Sequence, residues 1–238
     1  MRPWIGTSGW SYDAWKGGFY PEKIGSSDML GYYAERLPAV EVNNTFYRLP
    51  KRDVLEGWGE QVSDGHFRFV LKASRRITHQ AKLAEGGYDA LDFLTGNREA
   101  LGAAAGPILF QTPPWLKKDT ALLEAFLDRL PDELQAAFEF RSTSWFEDDV
   151  FDALRSRDAA LVTAETEEPD KDPPFVSTAG WGYLRLRKPA YEPEEVEAWA
   201  ERIGEQDWTD AYVFFKHEDE GTGPRLAGRM LELLGGRS

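Results

Sequence analysis

The chain has no cysteine among its 238 residues. That excludes disulfides, thiolate zinc sites, iron–sulfur clusters and a cysteine nucleophile, and it fits a cytoplasmic protein. Histidine is nearly as scarce. His66, His79 and His217 are scattered and form no metal-ligand spacing such as HExxH. A Walker loop, a GxGxxG turn and a Ser–His–Asp signature are also missing, so neither a metal nor a cofactor is expected. No apolar run reaches the roughly 20 residues of a membrane span. The opening MRPWIGTSGW lacks the apolar stretch of a signal peptide, so a soluble protein without a membrane partner is expected. Positive charge is in deficit too. A net charge of −13 makes the chain a poor general binder of nucleic acid, although a local basic cleft on an acidic body still permits it.

What is present is a large apolar complement. Hydrophobic residues make up 42% of the chain, with nine Trp and fourteen Phe, enough for a packed core and some pocket lining. Eight short apolar segments have strand character: Trp4–Thr7, Ala39–Asn43, Phe67–Lys72, Pro107–Gln111, Ala136–Phe140, Ala160–Ala164, Gly182–Leu186 and Ala211–Phe215. Helix-compatible segments separate most of them: Asp28–Arg36, Lys51–Val62, Tyr88–Ala105, Asp119–Arg129, Glu147–Arg157, Glu192–Ile203 and Gly223–Leu234. Eight such alternations predict an α/β protein, a single (β/α)₈ TIM-like barrel spanning residues 1–238. The sixth unit is irregular. Its follow-on segment, Glu167–Pro174, is charged and proline-rich, so its helix is expected to be short or missing. The long stretch Ala73–Gly87 after the third strand carries Ser74, Arg75, Arg76, Thr78 and His79, and a loop of that length is often functional.

Several strands carry charge where an apolar strand should not. In Phe138-Glu139-Phe140-Arg141 the aromatics share one face and the ions the other. Ions are costly to bury unless paired or used, so the polar faces are assigned to the barrel interior. This places Glu41 and Asn43 on the second strand, Lys72 on the third and Gln111 on the fourth. Glu139 and Arg141 follow on the fifth, Thr163 and Glu165 on the sixth, Arg185 and Arg187 on the seventh, and Lys216 on the eighth. Three acids and five bases make that mouth positive by two, which would focus an anion on an otherwise acidic chain. Arginine forks suit carboxylate or phosphate. The same ions paired among themselves would instead be a structural network. Gly221-Thr222-Gly223-Pro224 opens the last helix, where free backbone N–H groups can hold an anion or simply cap the helix.

The motifs, taken in order, resemble one family. They are Gly6-Thr-Ser-Gly-Trp-Ser-Tyr12, Trp15-Lys-Gly17, Phe19-Tyr-Pro21, Tyr33-Ala-Glu35, Val40-Glu-Val-Asn-Asn-Thr-Phe-Tyr47, Phe69-Val-Leu-Lys72, Thr78-His79, Pro113-Pro114, Phe138-Glu-Phe-Arg141, Ser144-Trp145 and Tyr183-Leu-Arg185. Together they resemble the domain-of-unknown-function family 72, also called YecE-like, across nearly the whole chain. The resemblance implies a TIM-like barrel and no established reaction. It implies site positions at Tyr12, Trp15, Glu41, Asn43, Tyr47, Lys72, His79, Gln111, Glu139, Arg141, Trp145 and Arg185. The chain departs from the family pattern at Lys216-His217-Glu218-Asp219 and at Glu165.

The resulting expectation is an enzyme for a small anionic or polyhydroxylated molecule, such as a phosphosugar or sugar acid. Glu41, Glu139 and His79 are the acid/base candidates. Lys72, Arg141, Arg185 and Lys216 would hold the anion, with Asn43, Tyr47 and Gln111 beside them. Trp10, Tyr12, Trp15 and Trp145 would form an aromatic wall. Isomerase, lyase and hydrolase chemistry all fit. The alternatives are a nucleic-acid-processing barrel that stacks bases on the tryptophans, and a binding protein without turnover.

Overall fold

Alternating apolar strands and amphipathic helices wind into a nearly closed parallel barrel in the computed structural model. The structure describes residues 1–62, 65–165, 168–217 and 219–235, with only the backbone described at Lys171. Glu167 and Glu218, singled out above, lie outside the described residues. The strands are β1 (Arg2–Ser8), β2 (Ala39–Val42), β3 (Arg68–Lys72), β4 (Ala105–Gln111), β5 (Ala136–Glu139), β6 (Ala160–Leu161), β7 (Thr163–Glu165), β8 (Gly182–Leu186) and β9 (Asp210–Phe215). They pair in the order β6-β5-β4-β3-β2-β1-β9-β8-β7. β6 and β7 are two halves of the expected sixth strand, joined through Val162, whose N–H still donates to Phe138 O at 2.9 Å. The helices are α1 (Met29–Ala34), α2 (Arg52–Gly59), α3 (Tyr88–Arg98), α4 (Thr120–Arg129), α5 (Asp148–Ser156), α6 (Pro193–Gly204) and α7 (Thr222–Gly235). Among the described residues, only the short turn Pro169–Lys171 lies between β7 and β8. None of the helices is long and apolar enough to cross a membrane, among the described residues.

Strands of a parallel barrel are buried on both faces, which is why they are apolar along their length. Their outward residues, among them Phe69, Phe110, Phe138, Leu184 and Val213, join the helices in one large core. Their inward residues form a second, smaller cluster that includes Trp4, Val70, Leu109, Ala137, Val162, Trp181, Tyr183, Tyr212 and Phe214. Trp4 and Tyr212 stack at 6.2 Å, and Tyr212 stacks on Tyr183 at 6.3 Å. The N-terminal part of the barrel is therefore plugged with aromatic rings, as a barrel of this size requires.

The inner cluster corrects the reading of the sixth strand. Ala160 and Val162 point inward, so Thr163 and Glu165, one residue out of phase, belong to the outer face. There Glu165 accepts a hydrogen bond from Trp199 Nε1 of α6 at 2.8 Å. Its polarity serves a helix contact and not the mouth. The Gly221–Pro224 turn also has a packing explanation. A side chain at Gly223 would meet His217 O at 2.7 Å, and Gly221 has a φ of 80° that favours glycine.

Candidate functional site

Above the aromatic plug, the C-terminal ends of the strands hold a charge network centred on Arg185. The guanidinium is 2% exposed. Its Nε and Nη2 donate to the two oxygens of Glu41 at 2.8 and 2.7 Å, and its Nη1 donates to Glu139 at 2.5 Å. Glu41 is fully buried and also accepts from Ser8 Oγ at 2.8 Å, Tyr183 Oη at 2.7 Å and Asn43 Nδ2 at 3.0 Å. Five donors meet a carboxylate with about four lone-pair positions, so Glu41 is saturated. Glu139 accepts from Gln111 Nε2 at 2.8 Å and Arg187 Nη2 at 2.9 Å, and Arg141 Nε stands 3.5 Å from it. Gln111 turns its carbonyl to Lys72, whose Nζ donates at 2.8 Å.

This geometry sets the protonation states. Burial alone would raise the Glu139 carboxyl, but Arg185, Arg187 and Arg141 outweigh it and hold the group below the usual carboxylate range. Glu41 is held down in the same way, burial being overcome by Arg185 and by the Tyr183 and Ser8 hydrogen bonds. Burial, followed by the Arg185 charge, brings Lys72 down to about 8. His79 is pushed down by burial, then by Lys72 and Arg141.

Two depressed carboxyls fix a pH dependence. The unfolded chain, with glutamates near 4.3, takes up protons before the folded one does. The stability they contribute is fully present above about pH 4.3 and is lost as the pH falls through the depressed folded values. A thermal-melt series from pH 6 to 2 should show Tm falling below about pH 4.3, with a shallower fall in Glu139→Gln. A Tm that stays flat over this range, or the same slope in the variant, would contradict the ionised pair.

The expected site residues are only partly brought together. Glu41, Asn43, Lys72, Gln111, Glu139, Arg141 and Arg185 form one connected network. His79 lies at its edge on a helical turn, Arg76–Gln80, with its ring 4.9 Å from Phe46 and Nδ1 2.9 Å from Thr78 Oγ1. Lys216 is exposed just beyond β9. Tyr12 donates to Ser8 O at 2.7 Å, and Tyr47 is 72% exposed. The aromatic wall needs correction. Trp145 is fully buried, stacked on Phe140 at 4.5 Å with its Nε1 donating to Leu116 O, and Trp15 is packed among Tyr12, Phe19 and Tyr20. Both are core residues. Arg185 donates from each of its three nitrogens to Glu41 or Glu139, so its charge is matched by those two carboxylates.

Tyr183 and Ser8 were not among the expected interior residues, whereas Arg187 was placed on the interior face but given no role with the ligand. Tyr183 lies two residues before Arg185 on the same face of β8, so alternation alone would have found it, and Arg187 follows just past the strand end. Ser8 pairs in register with Glu41 across β1 and β2. Arg187 matters most. Its Nε is buried with no hydrogen-bond partner among the described residues. It lines a cavity of about 400 Å³ together with Arg141 and with three acids, Glu139, Glu168 and Asp172. Four cations (Lys72, Arg141, Arg185, Arg187) against two carboxylates (Glu41, Glu139) leave the network positive by two.

Known proteins of the same shape confirm the frame around this network. A DUF72 family protein from Thermotoga maritima superposes with a TM-score of 0.84 at 23% identity, covering 99% of this chain and all of that one. SacUVDE and a D-psicose 3-epimerase solved with D-fructose each give a TM-score of 0.57, at 11% and 10% identity, over 99% of this chain and 99% and 97% of theirs. They share the barrel and no more. In sequence, the UPF0759 protein YunF of Bacillus subtilis is 25% identical over 97% of this chain and 94% of its own length. The UPF0759 protein YecE of Escherichia coli K12 is 33% identical over 60% of this chain and 50% of its own. The model of the family described as "Protein of unknown function DUF72" matches residues 4–238. The chain belongs to the DUF72 family.

Proposed function

We propose that the C-terminal mouth of the barrel binds a small anionic molecule, a phosphorylated or carboxylated sugar being of suitable size, and acts on it as an enzyme. The observation that carries this is Arg187, which has a buried Nε without a partner among the described residues and which lines a cavity together with Arg141. An unsatisfied buried donor is costly, and a small shift of the Arg187 side chain toward an anion in the cavity would offset that cost. A cavity of about 400 Å³ lies in the range of small-molecule sites. The approach is also favourable. The loops at 43–51, 73–87 and 112–119 hold seven Lys and Arg against two acids, Glu85 and Asp119. A basic half-rim on a chain of −13 would steer anions inward.

The acid/base roles expected for Glu41 and Glu139 change in this reading. Both carboxyls are ionised and every oxygen is occupied, so they hold arginines in place instead of moving protons. Lys72, brought down to about 8, is the group suited to proton transfer near that pH, and His79, pushed toward its neutral form by burial and by Lys72, stands beside it as a proton acceptor.

Calorimetric titration with inorganic phosphate tests the site. Wild-type protein should bind it, and Arg141→Ala and Arg187→Ala should each weaken binding about tenfold or more, in line with the ~1.5–3 kcal/mol of a charge-assisted hydrogen bond. Raising the salt should weaken it further. No heat up to about 10 mM phosphate, some ~3 kcal/mol of affinity, would overturn the reading.

A second reading has one observation of its own. Trp115 is 55% exposed with Lys82 Nζ 5.4 Å above its ring, and Tyr47 is exposed on another loop of the same half-rim. Exposed rings beside cations suit single-stranded nucleic acid. An oligonucleotide that binds more tightly than phosphate, and loses that advantage in Trp115→Ala, would favour this reading.

A further inference from the structure

We propose that Lys72 is a reactive amine that forms an imine with the carbonyl group of an anionic aldehyde or ketone bound in the mouth. This rests on the anion site above and names the substrate class it would take.

The geometry isolates this amine. Lys72 closes β3, and its Nζ donates to Gln111 Oε1 at 2.8 Å. The amide cannot turn over freely, because its Nε2 is committed to Glu139 at 2.8 Å. A neutral carbonyl is thus presented where an ordinary lysine would find a carboxylate. Glu41 on β2 and Glu139 on β5 are the carboxylates that face it, and both are taken by Arg185, with Arg187 and Arg141 also on Glu139. Among the described residues, Lys72 has no ion-pair partner. Cations face it from two elements, Arg141 past β5 and Arg185 on β8. Beneath it lies the Phe46 ring, 4.7 Å from Nζ. A desolvated lysine beside other cations is the setting in which this side chain becomes a nucleophile. The reduction of its pKa to about 8 agrees with that setting.

The step balances without a co-reactant. The neutral Nζ attacks the carbonyl carbon, a C–N bond forms, and the C=O bond becomes a hydroxyl. That oxygen leaves as water after taking a second proton. From the protonated amine and the carbonyl compound, the products are one protonated imine and one water, and the charge is unchanged. His79 is placed to pass these protons, since its ring packs on the same Phe46 as the Lys72 ammonium and is held toward its neutral form. The ligand's anionic group would sit on Arg141 and Arg187.

Pyridoxal 5′-phosphate carries both an aldehyde and a phosphate, so it is the probe. The full chain is incubated with it at pH 7.5, reduced with borohydride and mapped by peptide mass spectrometry. Lys72 should be labelled about tenfold or more faster than any other lysine, since ordinary lysines titrate near 10.4. Its labelling rate should level off above about pH 8, where its own pKa lies. Pyridoxal without the phosphate should label it more slowly, and inorganic phosphate should protect it. Labelling of Lys72 no faster than that of other lysines overturns the imine proposal. If phosphate still binds by calorimetry in that case, the anion site stands alone. If neither phosphate binding nor labelling occurs, both readings fall.

Discussion

Replacing Arg185 by methionine is expected to lower the free energy of unfolding by about 3–5 kcal/mol. The guanidinium is the only partner shared by Glu41 and Glu139 in the described network, and all three groups are buried. Burial works against its charge, but the two carboxylates more than restore it, so Arg185 stays cationic. Methionine fills similar space and leaves two carboxylates in the barrel, Glu41 with only neutral donors around it. A chain of this length loses roughly 2–4 °C of Tm per kcal/mol, so the melt should shift down by about 6–20 °C. Urea unfolding checks the free energy directly. Adding Glu41→Gln and Glu139→Gln to Arg185→Met should recover part of the loss, because amides carry no unpaired charge. A loss below about 1 kcal/mol would mean that Arg185 does not hold the two acids as described.

Gly6→Ala should be nearly as damaging, at or beyond the upper end of the ~1–3 kcal/mol typical of overpacking. Gly6 lies in β1 directly opposite Ala39 of β2. A Cβ there would stand 1.8 Å from Ala39 O and 2.9 Å from Tyr33 Oη. Neither neighbour can move. The carbonyl is part of β2, and the Tyr33 hydroxyl stands between the two strands in place of a direct ladder bond, accepting from Thr7 N–H at 2.9 Å and donating to Ala39 O at 2.9 Å. Glycine is needed here for close approach and not for backbone freedom. Reduced soluble yield and a lower urea midpoint are the expected readouts. A variant with wild-type stability would mean that the Tyr33 hydroxyl is not inserted between these strands. Tyr33→Phe separates the two effects, since it removes the bridge while leaving Gly6 in place.

Much of the barrel was legible in the residues. Apolar strands at regular intervals, each followed by a helical segment, suffice for a parallel sheet, because burial on both faces imposes that pattern on any such strand. Two-residue periodicity also put Glu41, Lys72, Gln111, Glu139 and Arg185 on the interior face, since alternation is a local property of an extended backbone. It failed at the sixth strand. There the rule that polar residues face inward chose Thr163 and Glu165, whereas Ala160 and Val162 are the inner ones. An outward glutamate can be satisfied by a helix tryptophan, and only the packed helix shows that it is.

What the residues determined by themselves is therefore the architecture and the face on which each strand charge lies. What only the tertiary structure decided is the use of each charge. Glu41 and Arg185 stand 144 positions apart in the chain and meet through barrel closure at 2.7 Å. The same closure consumes Arg185, buries Trp145 against Phe140, leaves Arg187 Nε unpartnered and deprives Lys72 of a carboxylate. Local alternation fixes direction, but pairing depends on distances across the barrel, and those are set by packing between strands remote in sequence.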